Sequence, residues 1–333
     1  MLFIAHLEEY RLTGSSITKM YLKDLITFFP IAKYKFILQP EKEIILPEFK
    51  GSTFRGAFGY TLKKICCVAK NKDCTSCLLK TKCVYSIIFE AKVGNAEYKI
   101  LGFTEPPRPF VIEPPDGNKN KYLPDEKMEF SILIFGNSIH FLPYIIFTFS
   151  ELGRQGLTKT KTKCELLSVE TMDGKKLYDG TTQTLFNLDS TIKLSFNDRI
   201  KDTKQVKIKF LTPVRIKVNS RYTTDITFLT LIKSILRRLA LLSLYYFDKK
   251  IEVDFGKILG EASLVKTKSS HIKWVDFERY STRQKTRMKL GGVIGEVVYE
   301  GNITNFIPLL KIGELTHIGK NTTFGLGKYE VIL

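Results

Sequence analysis

The sequence predicts an α+β protein made of two tandem ferredoxin-like domains, each with the element order βαββαβ. Three observations predict this fold. The apolar pattern alternates between period two, typical of strands, and a period of three to four, typical of helices. The same order of elements occurs twice along 333 residues, a length that suits two domains. A glycine-rich, basic segment precedes the last predicted strand of each half.

The elements of the first half follow from residue spacing. Residues 32–38 alternate apolar and polar side chains, as a half-buried strand does. A helix is predicted over 51–69, and its buried face consists of Phe54, Phe58, Leu62 and Ile65. The other elements are a proline-rich edge strand or extended arm over 105–115, a strand over 127–135, a helix over 140–152 and a strand over 163–170.

The second half repeats this order. The predicted elements are a strand over 205–219, a helix over 227–247, strands over 271–280 and 291–299, a helix over 305–315 and a strand over 328–333. The long helix carries Lys233, Arg237 and Arg238 on a narrow polar side, which argues against a membrane span. The predicted domain organisation is an N-terminal extension over 1–29, a first domain over 30–170, a connecting excursion over 171–204 and a second domain over 205–333.

Charge narrows the range of partners. The chain has 52 Lys and Arg against 34 Asp and Glu, a formal net charge of +18. This excess favours a polyanion, nucleic acid first and an acidic membrane surface second, over a merely solubilising lysine-rich surface. The first residues lack the basic region of a secretory signal, and a turn signal interrupts the uncharged stretch 130–150. We therefore expect a soluble, cytoplasmic protein without a membrane segment.

The glycine-rich segments, at 153–159 and 319–328, suit a phosphate backbone. Glycine permits positive φ and exposes backbone amides, while lysine adds positive charge. Over 158–163 lysines alternate with threonines, and in a strand they would share one face. That face suits a nucleic-acid backbone or a charged edge that blocks aggregation. The predicted phosphate-facing residues are Arg154, Lys159, Lys161, Gly319, Lys320, Thr323, Gly325, Gly327 and Lys328.

Three segments carry a resemblance to a known family: GSTFRGAFG at 51–59, WVDFERYSTRQ at 274–284, and HIGK at 317–320 followed by TFGLGKY at 323–329. With the paired βαββαβ units, they make residues 30–333 resemble the RAMP superfamily of CRISPR-associated proteins, and within it the sixth Cas family. The resemblance implies an endoribonuclease that cuts precursor CRISPR RNA within its repeats. It implies attack by the 2′-hydroxyl without a metal, leaving a 2′,3′-cyclic phosphate and a 5′-hydroxyl.

The resemblance also implies partners. CRISPR repeat RNA is the expected substrate, and other CRISPR effector subunits are further candidates. Two rival functions stay open: a non-cleaving RNA-binding subunit of an effector complex, and a zinc-stabilised basic scaffold for DNA or membrane surfaces.

His317, Lys320 and Tyr280 are the candidate catalytic residues. His317 ends the last predicted helix just before the second glycine-rich segment, and an imidazole with a pKa of about 6.5 exchanges protons at neutral pH. The alternative is a histidine that only interacts with the helix dipole. Many family members carry a histidine in or near the first helix, whereas this helix has none. Either His317 substitutes for it, or Tyr and Lys act without a histidine, or activity is weak or absent.

Further RNA contacts are predicted from residue type. Arg55 lies in the first predicted helix. The segment 279–287 combines arginines with hydroxyl groups and one ring, which suits phosphate pairing and base stacking. A solvated hairpin is the alternative there. The RNA-binding residues predicted in this segment are Arg279, Arg283 and Gln284.

Five of the six cysteines fall between residues 66 and 83. The spacing of Cys67, Cys74, Cys77 and Cys83 suits a tetrahedral, structural Zn²⁺ ion, with Cys66 as an alternative first ligand. An iron–sulfur cluster would use the same ligands, and buried thiols without a metal are the remaining alternative. Catalysis is expected to need no cofactor. Cys164 is expected in the core.

Overall fold

A computed structural model of the chain describes residues 29–69, 73–90, 106–186, 202–247, 254–281 and 286–333. The described residues form an α+β structure with two large antiparallel sheets, one in each half of the chain, and three two-stranded ribbons, β2-β4, β10-β11 and β13-β14. The predicted N-terminal extension therefore lies almost entirely outside the described residues.

The first domain has the strand order of a ferredoxin-like fold. Its sheet runs β3-β5-β1-β6, and β7 and β8 extend it beyond β6. The neighbouring strands pair antiparallel throughout. The strands are β1 (Ile31–Pro40), β2 (Ile44–Ile45), β3 (Phe110–Glu113), β4 (Lys121–Tyr122), β5 (Met128–Phe135), β6 (Cys164–Thr171), β7 (Lys176–Asp179) and β8 (Thr184–Leu185). The helices are α1 (Lys50–Cys66), α2 (Val84–Phe89) and α3 (Leu142–Gln155), with a 3-10 helix over Gly136–Phe141 before α3.

The second domain repeats this topology. Its sheet runs β12-β15-β9-β16, so in both domains the equivalent strands are ordered second, third, first, fourth. The strands are β9 (Gln205–Val214), β10 (Lys217–Val218), β11 (Arg221–Tyr222), β12 (Lys266–Val275), β13 (Glu278–Ser281), β14 (Thr286–Lys289), β15 (Gly292–Glu300) and β16 (Tyr329–Ile332). The helices are α4 (Phe228–Tyr246), α5 (Phe255–Ser263) and α6 (Ile307–Thr316), with 3-10 helices over Thr304–Phe306 and Thr322–Phe324. The predicted fold class is confirmed.

Some elements differ from the sequence prediction. The predicted excursion 171–204 contributes β7 and β8 to the first sheet, because a turn at Gly174 (φ +86°) returns the chain beside β6. The predicted strand 271–280 is divided between β12 and β13. The short helices α2 and α5 have no counterpart in the prediction, since each is too short to show a helical period.

One face of the first sheet packs on α1 and α3, and the second domain covers part of the other face. Alternate residues of β3 point to opposite faces. Phe110 and Ile112 belong to a core with α1 and α3, whereas Val111 belongs to the core of the second domain. Leu133 and Phe135 of β5 join that second core as well. The two domains are therefore joined by a shared apolar core rather than by a linker alone.

The long helix α4 lies at this junction. Thr227 caps its N-terminus by accepting a hydrogen bond from the amide of Thr230. Arg238, placed on the polar side by the sequence pattern, is instead 7% exposed. Its Nε donates to the carbonyl of Thr316 at 2.5 Å, and its guanidinium lies 5.7 Å from the ring centroid of Phe135. Among the helices of the described ranges, none has the length and apolarity needed to cross a membrane.

Candidate nucleic-acid interface

The glycine-rich segment 319–328, here called the glycine loop, connects α6 to β16 and packs against the first domain. Phe324 in this loop lies 6.2 Å from the ring of Phe49, at the start of α1. The guanidinium of Arg55 lies 5.2 Å from the Phe324 ring. A Cβ atom on Gly51 would collide with the Phe324 carbonyl. The GSTFRGAFG segment is thus the surface on which the loop docks.

The loop's own glycines have packing reasons. Gly325 (φ +82°) would place a Cβ atom 2.7 Å from the carbonyl oxygen of Ile112. Gly327 (φ +80°) would place one against the carbonyl of Ile318. Both are buried, so close approach within the protein accounts for them. Gly319 and Thr323 are half-buried and Lys320 is exposed, so the start of the loop is the part that solvent reaches.

His317 lies at the C-terminal end of α6 and has no exposed surface. Its Nδ1 lies 3.0 Å from the carbonyl oxygen of Leu326, and its Nε2 lies 3.0 Å from Oε1 of Glu113. Burial lowers the pKa of His317, while the hydrogen bond to Glu113 opposes that shift. The ring therefore joins the glycine loop to β3 of the other domain.

Glu113 is the centre of an ionic cluster between the domains. Besides His317, its carboxylate contacts Nζ of Lys33 at 2.8 Å and Nζ of Lys328 at 3.2 Å. Burial alone would raise the pKa of Glu113, but His317, Lys33 and Lys328 together hold it well below its usual range. The carboxylate is ionised at neutral pH and ties the second domain to the first.

This geometry argues against the predicted catalytic role of His317. A proton-transfer group must come within about 3 Å of a reacting oxygen or reach it through one water. Both ring nitrogens of His317 already face protein acceptors, and the side chain is fully enclosed. Lys328, predicted to bind RNA, forms an ion pair with Glu113 instead. Lys320 keeps an exposed side chain at the mouth of the loop.

The first glycine-rich segment is a tight turn rather than a strand. Thr158 (φ +69°) and Lys161 (φ +55°) turn the chain, and Leu157 pairs with Thr162 across it. The lysines of 158–163 therefore do not share one face of a strand. Lys159 and Lys161 are nevertheless exposed, and Arg154 is exposed while it pairs with Glu151 at 2.7 Å.

The arginine-rich segment begins beside the glycine loop. Phe277 stacks on Phe49 with ring centroids 5.7 Å apart, so the base of the β13–β14 hairpin and Phe324 contact the same ring. The backbones of Arg279 and Tyr280 lie in β13. Their side chains are not described, and Arg283 and Gln284 lie outside the described residues.

Sequence reasoning missed a second group of residues near the loop. Arg215, directly after β9, contacts the ring of Tyr222, which in turn lies near Trp274. The Arg215 carbonyl accepts a hydrogen bond from the amide of Lys320 at 2.9 Å. The available signal was an isolated arginine and a basic hairpin in a segment that alternates like a strand. It was too weak to separate from the strand pattern.

The cysteines of the predicted metal site lie together in the described structure. Cys66, Cys67, Cys74, Cys77 and Cys83 line one small pocket. In the part of the chain that the structure describes, however, no three His, Cys, Asp or Glu side chains converge closely enough to hold a metal ion. Bound metal therefore stays a prediction from the cysteine spacing. Cys164 is buried, as expected.

Comparison with known proteins supplies a family. A family model for the CRISPR-associated endoribonuclease Cas6 matches residues 208–329, and a model described as an N-terminal domain matches residues 29–190. A protein of Archaeoglobus fulgidus described as uncharacterized is 30% identical over 291 residues, which cover 86% of this chain and 92% of that protein.

Solved structures share the fold. A Cas6 product complex matches with a TM-score of 0.54 and 12% identity, covering 91% of this chain and 99% of the other. Thermus thermophilus Cas6 matches with a TM-score of 0.51 and 12% identity over the same shares, 91% and 99%. At such identities the structural likeness shows the fold alone, whereas the family model also matches the sequence of the second domain. Over most of its length the chain belongs to the same family as the Archaeoglobus fulgidus protein, and its second domain matches the family of CRISPR-associated endoribonucleases Cas6 over residues 208–329.

Proposed function

We propose that this chain is an endoribonuclease that cleaves precursor CRISPR RNA within its repeats. The observation that carries the proposal is the junction between the domains, where the glycine loop, within the segment that matches the Cas6 model, presents an exposed Lys320. The formal net charge of +18 supports a polyanionic substrate.

The reaction we propose needs no metal. The 2′-oxygen attacks the adjacent phosphorus, the P–O5′ bond breaks, and the products are a 2′,3′-cyclic phosphate and a 5′-hydroxyl. A base must remove the 2′-hydroxyl proton, an acid must protonate the leaving 5′-oxygen, and cations must stabilise the phosphorane. Lys320 supplies positive charge or the proton, and Tyr280 is the proposed partner in proton transfer. His317 acts as a positioning residue that holds the glycine loop.

The RNA is proposed to run from the junction across the exposed cations of the first domain. Lys159 and Lys161 are exposed on the turn after α3, and Arg154 is exposed beside them. Contacts of this kind neutralise phosphates and are independent of sequence. The β13–β14 hairpin, with Arg279, supplies further contacts in this proposal.

The test uses purified full-length protein and a labelled repeat RNA from the CRISPR array of the source genome. Cleavage at one site in EDTA, abolished by a 2′-deoxy nucleotide at that site, is the expected result. Lys320→Ala and Tyr280→Phe should each slow cleavage by about 10²-fold or more, as loss of a general acid or base does. Lys257→Ala, an exposed lysine on α5, is the charge-matched control and should cleave normally. Cleavage that requires Mg²⁺ or survives the 2′-deoxy substitution would contradict the mechanism.

A second candidate is a non-cleaving RNA-binding subunit of a CRISPR effector complex. The observation that favours it is the enclosure of His317, which leaves that histidine unable to meet RNA. The same assay separates the two functions. Tight, salt-sensitive binding without cleavage would assign the chain to the second.

A further inference from the structure

A cluster of one arginine and two aromatic rings lies next to the start of the glycine loop. The guanidinium carbon of Arg215 lies 4.6 Å from the ring centroid of Tyr222. The Tyr222 ring lies 6.2 Å from the ring of Trp274 at an angle of 51°. Both rings are partly exposed, Tyr222 by 39% and Trp274 by 37%. We call these three residues the Arg215 cluster.

Arg215 is buried without satisfying its own donors. The residue is 6% exposed, and its Nε and Nη1 atoms are buried with no hydrogen-bond partner among the described residues. A buried charged donor left unpaired costs a large desolvation free energy, so such groups usually meet a partner. The missing partner is a hydrogen-bond acceptor, and a negatively charged one satisfies the arginine best.

The surrounding backbone is shaped around the cluster. A Cβ atom on Gly291 would collide with the Trp274 indole, and one on Gly292 would lie 3.0 Å from Cγ of Arg215. The indole Nε1 donates to Oδ1 of Asp276 at 3.0 Å, which fixes the orientation of a ring that is 37% exposed. Two consecutive glycines therefore seat the aromatic ring and the arginine stem.

Tyr222 is carried by a short, exposed element. It ends the short β10–β11 hairpin, whose turn residues Asn219 and Ser220 have φ values of +49° and +66°. Both strands of the hairpin are exposed, and they contain Lys217 and Arg221. A two-residue ribbon with exposed hydrogen bonds belongs to the least stable parts of a fold. Its tyrosine can therefore leave the guanidinium without disturbing the sheet.

We propose that the Arg215 cluster binds one unpaired nucleotide of the RNA substrate. The base stacks on Trp274 and Tyr222, and a phosphate oxygen accepts the hydrogen bonds that Arg215 lacks. Lys217 and Lys320 add positive charge on either side. Stacking on aromatic rings beside arginine is how proteins hold single-stranded RNA, since every base has a stacking face.

This inference rests on the proposed function and deepens it. It assigns to the second domain a subsite that recognises a splayed nucleotide, beside the glycine loop but separate from the Glu113 cluster. A protein partner would instead be expected to bring apolar side chains, whereas Nζ of Lys217 lies 5.0 Å from the Tyr222 ring and the backbone amide of Lys320 bonds to the Arg215 carbonyl.

Trp274 makes the proposal directly measurable, because it is the single tryptophan of the chain. The full-length protein is titrated with repeat RNA made uncleavable by a 2′-deoxy nucleotide, and intrinsic fluorescence is followed. Base stacking should quench Trp274. An abasic nucleotide moved along the unpaired positions should abolish the quenching at one position and leave it at the others.

Two variants test the same contact from the protein side. Tyr222→Ala should weaken RNA binding roughly tenfold, the usual loss for one base stack. Arg215→Met should weaken binding by a similar factor and reduce the slope of log K against log salt by about 1. Tyr144→Ala, an exposed aromatic residue on α3 of the other domain, is the matched control and should bind normally.

The outcomes are distinguishable. If RNA binds tightly by filter retention but neither quenches Trp274 nor loses affinity in Tyr222→Ala, the proposal is overturned and the proposed function stands. If no repeat RNA binds, both are overturned. Should Arg215→Met fail to fold, the abasic series on the unaltered protein still decides the question.

Discussion

Replacing Glu113 by glutamine removes one negative charge from the junction of the two domains while keeping the size of the side chain. In the folded protein this carboxylate contacts His317, Lys33 and Lys328 at 3.0, 2.8 and 3.2 Å. Its side chain is 8% exposed, so water cannot replace the lost charge on the Glu113 side. Glu113→Gln therefore leaves two ammonium groups near a neutral amide.

The magnitude follows from burial. Removing one partner of a buried ion pair costs about 3–5 kcal/mol of unfolding free energy. The two lysine side chains are 17% and 22% exposed, so partial hydration recovers some of this. The amide oxygen also still accepts a hydrogen bond. We expect a loss of about 2–3 kcal/mol, which lowers the urea midpoint by about 1 M at a typical slope of about 2–3 kcal/mol per M.

The pH dependence has a defined sign. The pKa of Glu113 is held well below its usual range, so its stabilisation is fully present above the unfolded value of about 4.3. It is lost as pH falls through the folded value. The difference in unfolding free energy between the wild-type protein and Glu113→Gln should accordingly become smaller as pH falls below about 4.

Glu43→Gln is the matched control. Glu43 pairs with Lys121 at 2.9 Å, but the side chains are 46% and 56% exposed, so its loss should cost less than about 1 kcal/mol. Urea unfolding followed by circular dichroism measures both variants. Equal urea midpoints for Glu113→Gln and Glu43→Gln would refute the stabilising role of the ionic cluster. So would a stability difference between wild type and Glu113→Gln that does not change with pH.

Further predictions concern the loop, the histidine and the long helix. Gly117→Ala, at φ +74° with open space around it, should lower the unfolding free energy by about 1 kcal/mol. Gly327→Ala should lower it by more than about 2 kcal/mol, because the added Cβ would collide with the Ile318 carbonyl. Urea unfolding midpoints compare the two variants. His317→Gln should lower the melting temperature while leaving the pH profile of cleavage per folded molecule unchanged, contrary to a catalytic role. Thr227→Ala should cost about 1 kcal/mol through loss of the helix cap, measured by urea unfolding.

Strong periodicity made the fold predictable. β1 and α4 show their periods over 10 and 19 residues, and their positions match the sequence prediction closely. The turn after α3 was not predictable in the same way. Thr158 and Lys161 adopt positive φ, which neither residue type favours, and the alternating pattern there indicates a strand equally well.

The site was harder to predict because its determinants are distant in sequence. His317 is enclosed by Glu113, which is 204 residues earlier in the chain, and a sequence pattern cannot show that pairing. The prediction that the glycines of the loop face phosphate failed for a related reason. A loop that approaches phosphate and a loop that packs against backbone carbonyls both require residues without Cβ atoms. Gly325 and Gly327 satisfy the second requirement.

The ionic cluster and the proposed RNA surface are mechanically connected. Arg55 of the first domain contacts Phe324 of the docked loop, Lys320 lies near the start of the same loop, and His317 ties the loop to Glu113. A substitution that removes the contacts of Glu113 with His317 and Lys328 should leave this loop, and therefore Lys320, less firmly positioned, although Glu113 itself is not proposed to contact RNA. Loss of cleavage in a Glu113 variant would therefore report on positioning. Only a variant such as Lys320→Ala, which should retain wild-type unfolding, isolates the chemical step.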